Sequence, residues 1–290
     1  MGENVGVVRL KTKHSTGALY KGLRQRTVQT EAEEMAAQPV TVLITGANRG
    51  LGLEMVKQIL AGKCPVKTLF ACCRDPDGPK AEALKALAKK HPNLHILRLD
   101  AADLGSIKQC SQLVGSHVGT AGLNLLINNA GYMSKSILQE TTTEDMQMTW
   151  NTNLMGPMYM IQEFLPHLRA AVKASKIPGM SSRKAAVVGI TSLLGSMQAV
   201  KDTYSFFPAM PYRISKAGLN MLTVCAAEEL KKDEILFSLL HPGWVRTDMG
   251  GEEGEIDAPE SVKGMLCVLE SLTEKHNAAF LDYNGKTVPW

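Results

Sequence analysis

From Val40 onward, short unbroken apolar runs alternate with longer segments of helical spacing. VTVLIT (40–45), KTLFACC (67–73), NLHILRLD (93–100), LNLLINNAG (123–131), KAAVVGITS (184–192), ILFSLLHPG (235–243) and a stretch near 279–283 read as seven strands. Between them, LEMVKQILAG (53–62), GPKAEALKALAKKH (78–91), LGSIKQCSQLVGSH (104–117), a long region from a candidate capping box at Thr141 and Glu144 to Lys173, and segments 210–231 and 259–273 read as helices. Strands that are apolar on both faces need cover on both faces, and alternation with helices makes the connections parallel. The pattern predicts one doubly wound α/β domain over 39–290, built on a seven-stranded, mainly parallel sheet.

Residues 1–38 lack such a period and read as a flexible basic N-terminal extension. This segment changes the meaning of the net charge of +4. Over residues 1–30, Arg9, Lys11, Lys13, Lys21, Arg24 and Arg26 oppose one acid, Glu3; taking these from the 32 basic and 28 acidic residues leaves 26 and 27 over residues 31–290. A core near neutrality gives no reason to expect nucleic acid as a partner. No apolar run approaches the roughly 18 residues of a bilayer span, so no stable membrane insertion is expected. Cys64, Cys72, Cys73, Cys110, Cys225 and Cys267 are scattered and read as reduced thiols. The seven histidines lack metal-ligand spacing, Pro92 interrupting His91 and His95, and no metal is expected. A cytoplasmic location is expected, with a mitochondrial one as the alternative if the basic extension is a transit peptide. Lipidation is not expected, because Gly6 stands where a myristoylation motif needs Ser or Thr.

Two stretches carry candidate chemistry. The first strand runs into TGANRGLG, whose Gly46, Gly50 and Gly52 follow a G-x-x-x-G-x-G spacing. Glycines there allow a sharp turn and let backbone N–H groups approach a pyrophosphate at a helix N-terminus. A tight turn that binds nothing would have the same glycines. At the end of the second strand the first polar residue is Arg74, where an acid would bind the ribose of NAD. With Arg49 inside the glycine loop, two guanidiniums fit a 2′-phosphate and favour NADP. Downstream, Tyr212 and Lys216 are four apart and share a face if PYRISKAG (211–218) is helical.

In order along the chain, TGANRGLG, DAADL from Asp100, NNAG (128–131), NTNLMG around Asn153, GITSLLG around Ser192, YRISK (212–216) and PGWVRT (242–247) resemble the short-chain dehydrogenase/reductase family, over about residues 40–290. The C-terminal portion resembles its sniffer-like and C-factor-like carbonyl reductase branch. The resemblance implies a Rossmann-type fold and a catalytic set of Asn153, Ser192, Tyr212 and Lys216. Tyr212 would protonate the carbonyl oxygen, Lys216 would lower the phenol's pKa and hold the nicotinamide ribose, Ser192 would bond the substrate oxygen, and Asn153 would hold a relay water.

For NADPH/NADP+, the resemblance places Gly46, Asn48, Arg49, Gly50, Leu51 and Gly52 around the pyrophosphate and ribose, with Arg74 at the 2′-phosphate. It places Asp100 and Ala101 by the adenine and Asn128, Ala130 and Gly131 along the cleft. Pro242, Gly243, Val245 and Thr247 would stand at the nicotinamide, beside Tyr212 and Lys216. It further implies a homodimer or homotetramer packed through the helices at 144–172 and 210–231.

Ser192 and Tyr212 are twenty positions apart, more than is usual in the family. The extra segment, KDTYSFFPAMP (201–211), offers Tyr204, Phe206 and Phe207 as pocket walls or as a docked surface loop. Residues 249–258, rich in Gly and Glu, read as a mobile lid or a plain acidic loop. The expected activity is NADPH-dependent reduction of aldehydes, ketones or quinones, with a small-molecule carbonyl substrate. The alternatives are an NAD(P)+-dependent dehydrogenase of a hydroxy-lipid or steroid, and a cofactor-binding signalling protein with little turnover.

Overall fold

The seven apolar runs form one sheet in the computed structural model, which describes residues 1–2, 38–62 and 64–290. The strands are β1 (Val40–Thr45), β2 (Val66–Cys73), β3 (Leu94–Arg98), β4 (Leu125–Asn128), β5 (Ala186–Ile190), β6 (Leu236–His241) and β7 (Ala279–Asp282). Their order is β3-β2-β1-β4-β5-β6-β7, and every pairing is parallel. The expected basic extension lies, from residue 3 to 37, outside the described residues.

The helices are α1 (Gly50–Ala61), α2 (Glu82–Ala88), α3 (Leu104–Val118), α4 (Thr143–Trp150), α5 (Gly156–Ala174), α6 (Val200–Thr203), α7 (Met210–Glu229) and α8 (Ala258–Ser271). Two cores explain why the strands are apolar on both faces. On one face, Met55 and Val56 of α1, Leu84 of α2 and Val262 and Met265 of α8 pack on Val42, Ile44, Ile127 and Val188. On the other, Ile107 of α3, Phe164 and Leu168 of α5 and Ala226 of α7 pack on Leu43, Leu126, Val187 and Phe237. Burying a Val, Leu, Ile, Phe or Met side chain of this kind is worth about 1.5–3 kcal/mol. The chain reverses direction across the sheet between β1 and β4, which opens a crevice beyond their carboxyl ends.

Two expectations need correction. The long helix from 144 is interrupted: α4 passes through a π-helical turn at Asn151–Met155 before α5 begins. The capping box is Thr142 with Asp145, one residue later than expected; the Thr141 hydroxyl instead bonds the Ile137 carbonyl at 2.7 Å. Residues 249–258, open between a mobile lid and a plain acidic loop, are bonded to the segment after β6. Arg246 N donates to the Ile256 carbonyl at 2.9 Å, Arg246 Nη1 to the Gly254 carbonyl at 2.7 Å, and Trp244 Nε1 to the Gly250 carbonyl at 2.8 Å. One backbone and two side-chain donors, invisible to composition, hold the carbonyls of that loop.

Candidate active site

The crevice floor is the turn from β1 into α1. Gly46 has a φ of +65°, and a Cβ there would come within 3.0 Å of the Ala130 backbone. A side chain on Gly52 would strike the Gly46 carbonyl. Both positions therefore require glycine. No side chain caps α1 and its first turn holds no acid, so its N-terminal N–H groups keep their capacity for an anion. Asn48 lies beside the loop, where its side chain donates to the Lys80 carbonyl at 3.4 Å, and Leu51 packs on the core beneath.

The NNAG segment locks this turn. Asn129 Nδ2 donates to the carbonyls of Thr45 and Gly46 at 2.8 and 3.1 Å, and the Thr45 hydroxyl accepts from the N–H groups of Asn129 and Ala130. Asn128 is buried at the end of β4. The motif singles out Asn128, Ala130 and Gly131 but not Asn129 or Thr45; a doubled asparagine gives no way to tell which one reaches back.

The two expected guanidiniums differ in circumstance. Arg74 follows β2 and is exposed, and among the described residues it forms no ion pair. Asp75 is turned away: its carboxylate accepts from Gly78 N at 3.1 Å and faces Arg98, which also pairs with Asp77 at 3.2 Å. Arg49 is held by Asp248 at 2.6 Å, a clasp from the glycine loop to the segment after β6 that the sequence did not suggest. Thr247 lies on the same side, its Cγ2 3.8 Å from where a Gly50 Cβ would stand.

Other expected cofactor positions line the same carboxyl edge. Asp100 follows β3 and accepts from Ala102 N at 2.9 Å. The Ala101 carbonyl lies so close to Gly156 that no side chain fits at position 156. Past β6, the Pro242 carbonyl accepts from Ser261 Oγ at 2.6 Å, Gly243 has a φ of +82°, and Val245 is buried and bridged to Ile256.

The four expected catalytic residues are all buried. Tyr212 and Lys216 occupy consecutive turns of α7, and the Lys216 ammonium is 5.5 Å from the Tyr212 ring centre. That ammonium donates to the Ile190 carbonyl at 2.7 Å, at the end of β5. Ser192, two residues on, accepts from Leu194 N at 3.1 Å and starts the turn that brings Gly195 against Lys216. Asn153 sits in the π turn. Its Oδ1 accepts from Tyr132 N at 2.8 Å, and its Nδ2 donates to the Tyr132 carbonyl at 2.7 Å and to Ser215 Oγ at 2.9 Å. Both amide protons are thus used, leaving only the second lone pair of Oδ1 for a water. No motif pointed to Tyr132, and Ser215 lies within YRISK without having been given a role.

The electrostatics depart from the expected lowering of the phenol's pKa. Burial pushes Tyr212 up to about 12, and Ser192, which pulls it back, does not offset that. Burial also pushes Lys216 down to about 8. Desolvation penalises both charged forms. The site thus holds a protonated phenol at neutral pH, beside a serine hydroxyl and an ammonium ready to lose its proton. It can deliver a proton to an oxygen.

Residues 40–257 match the short chain dehydrogenase family. The chain is similar to C-signal of Myxococcus xanthus, at 38% identity over 60% of this chain and 97% of that protein. Among solved structures it resembles the NADPH-bound carbonyl reductase from chicken fatty liver, at 44% identity and a TM-score of 0.83, covering 87% of this chain and all of that one. Carbonyl reductase Sniffer of D. melanogaster gives 35% identity and the same TM-score and coverage. Among the described residues no helix is long and apolar enough to cross a membrane, and no group of three or more His, Cys, Asp or Glu is placed to hold a metal ion. With the motifs, the sheet order and the buried Ser192, Tyr212 and Lys216 at one crevice, these matches place the chain in the short-chain dehydrogenase family of oxidoreductases.

Proposed function

We propose that the protein is an NADPH-dependent carbonyl reductase acting on aldehydes, ketones or quinones. The observation that carries this reading is the burial of the Tyr212 phenol together with Ser192 and Lys216, past the glycine turn. The uncapped start of α1 suits a pyrophosphate, and the exposed Arg74, in no ion pair among the described residues, suits a 2′-phosphate. The solved relative from chicken carries NADPH.

When bound, NADPH supplies a hydride for the carbonyl carbon. The Tyr212 hydroxyl gives its proton to the carbonyl oxygen, and the Ser192 hydroxyl donates a hydrogen bond to the same oxygen where negative charge grows. Lys216, protonated below pH of about 8, favours the phenolate left behind. The ties of Asn153 to Tyr132 and Ser215 hold the π turn against α7, and its remaining lone pair can seat a water for proton return. The reading is tested with Tyr212→Phe: reduction should fall by about 10²–10⁴-fold with NADPH affinity retained. Substantial residual turnover would remove Tyr212 from this role.

A further inference from the structure

The segment between Ser192 and Tyr212 is built, not loose. α6 ends at Thr203, and Arg213, the residue after Tyr212, gathers the chain from there to Pro208. Its Nε donates to the carbonyls of Phe207 and Pro208 at 3.0 and 2.9 Å. Its Nη2 donates to the Phe207 carbonyl and the Thr203 hydroxyl at 2.8 and 3.0 Å, and the guanidinium lies 5.4 Å from the Tyr204 ring centre. Arg213 is itself buried, so this clamp fixes the aromatic segment to the catalytic helix. Ala209 adopts a left-handed φ of +31°, a conformation that costs about 1–2 kcal/mol in a residue with a Cβ. Met210 N then donates to the Ser136 carbonyl at 3.0 Å, tying the segment to the one that comes after NNAG.

Between these two segments lies a recess of about 220 Å³, lined by Lys135, Phe206, Phe207, Pro208 and Ala209. That is below the roughly 300 Å³ of a whole ligand site, so it has room for one ring of a larger molecule. Phe206 stands 83% exposed at its rim. The Lys135 ammonium lies 5.7 Å from the Phe207 ring centre, and among the described residues it has no carboxylate partner. A cation held over an aromatic wall, on the segment that leads directly into Tyr212, leaves an attractive place for an anion and a flat surface beside it.

We propose that this recess is the distal subsite of the reductase centre, and that it selects carbonyl substrates whose aromatic ring carries an anionic substituent. The ring stacks on Phe207 and the anion pairs with Lys135. The proposal rests on the reductase reading and names its substrate class.

The test compares 4-formylbenzoate with its methyl ester in the full-length protein, as kcat/KM with NADPH and as calorimetric affinity in the presence of NADP+. Lys135→Gln should reduce the preference for the acid about fivefold, through KM, and Lys135→Arg should keep it. Phe207→Leu should weaken both compounds. Turnover in which acid and ester keep the same ratio in wild type and Lys135→Gln overturns the subsite while the reductase reading stands. Acid binding that depends on Lys135 without turnover of either compound overturns the recess as a subsite of the reductase centre, and the wider carbonyl panel then decides the reductase reading. Absence of both binding and turnover overturns the subsite.

Discussion

The Lys216 ammonium stands 5.5 Å from the centre of the Tyr212 ring, anchored at 2.7 Å on the Ile190 carbonyl. The pair is thereby tied to the end of β5 as well as to its own helix. The four-residue spacing puts cation and phenol on one face of α7; the anchor decides how far apart they stay. Burial keeps the phenol protonated and the ammonium easily deprotonated.

That arrangement costs stability in a pH-dependent way. The folded pKa of Lys216, about 8, lies below its ordinary value of 10.5. Between these pH values the unfolded chain binds more protons, so the penalty is full below about 8 and vanishes above 10.5. Lys216→Met should therefore be more stable than wild type by about 2–3 kcal/mol near neutrality, less the lost bond to Ile190, with the gap closing as pH rises toward 10.5. Chemical denaturation across this range, with activity alongside, checks it. A variant less stable at every pH would show that Lys216 supports the fold rather than burdening it.

Among the described residues Arg74 forms no ion pair, while Arg98 takes Asp75 and Asp77. Arg74→Asp should weaken NADPH by about 1.5–3 kcal/mol, and NADH far less, narrowing or reversing the gap. Fluorescence titration of both cofactors reads it directly. Equal wild-type affinities for the two would sink the 2′-phosphate argument.

Arg49 is expected to contribute less. Its partner Asp248 is exposed, and such pairs are worth about 0.2–1 kcal/mol. Asp248→Asn should free Arg49 and tighten NADPH by no more than about fivefold, an effect that fades at high salt. A large loss of affinity would instead mean that the clasp holds the cofactor in place.

Gly156 opens α5 directly beneath Ala101, whose carbonyl occupies the place of a Cβ. Gly156→Ala should cost about 1–3 kcal/mol through backbone displacement and weaken cofactor binding through Ala101. Thermal melting with and without NADPH separates the two effects.

Much of the fold is legible in the sequence because parallel strands buried on both faces leave unbroken apolar runs, and VTVLIT or KAAVVGITS needs no partner to be recognised. The Ser192, Tyr212 and Lys216 cluster is legible through its motifs. The rest depends on relations that no local pattern encodes. In TTTED, three threonines compete for one cap, and the hydroxyl nearest Ile137 is taken by that carbonyl. The π turn around Asn153 contains no proline or glycine to announce it. The Gly- and Glu-rich loop reads as a mobile lid or a plain acidic loop until its carbonyls are found bonded to Arg246 and Trp244. The burial of Tyr212, which raises its pKa, is not visible in YRISK.

The most direct measurement is oxidation of NADPH by the full-length protein, followed by the absorbance of the reduced nicotinamide, against a panel of aldehydes, diketones and quinones with NADH alongside. The account predicts turnover with NADPH, weaker turnover with NADH, and loss of both in Tyr212→Phe. Tight NADPH binding without turnover of any panel member would contradict the reductase reading and leave a cofactor-binding protein whose proton donor is unused.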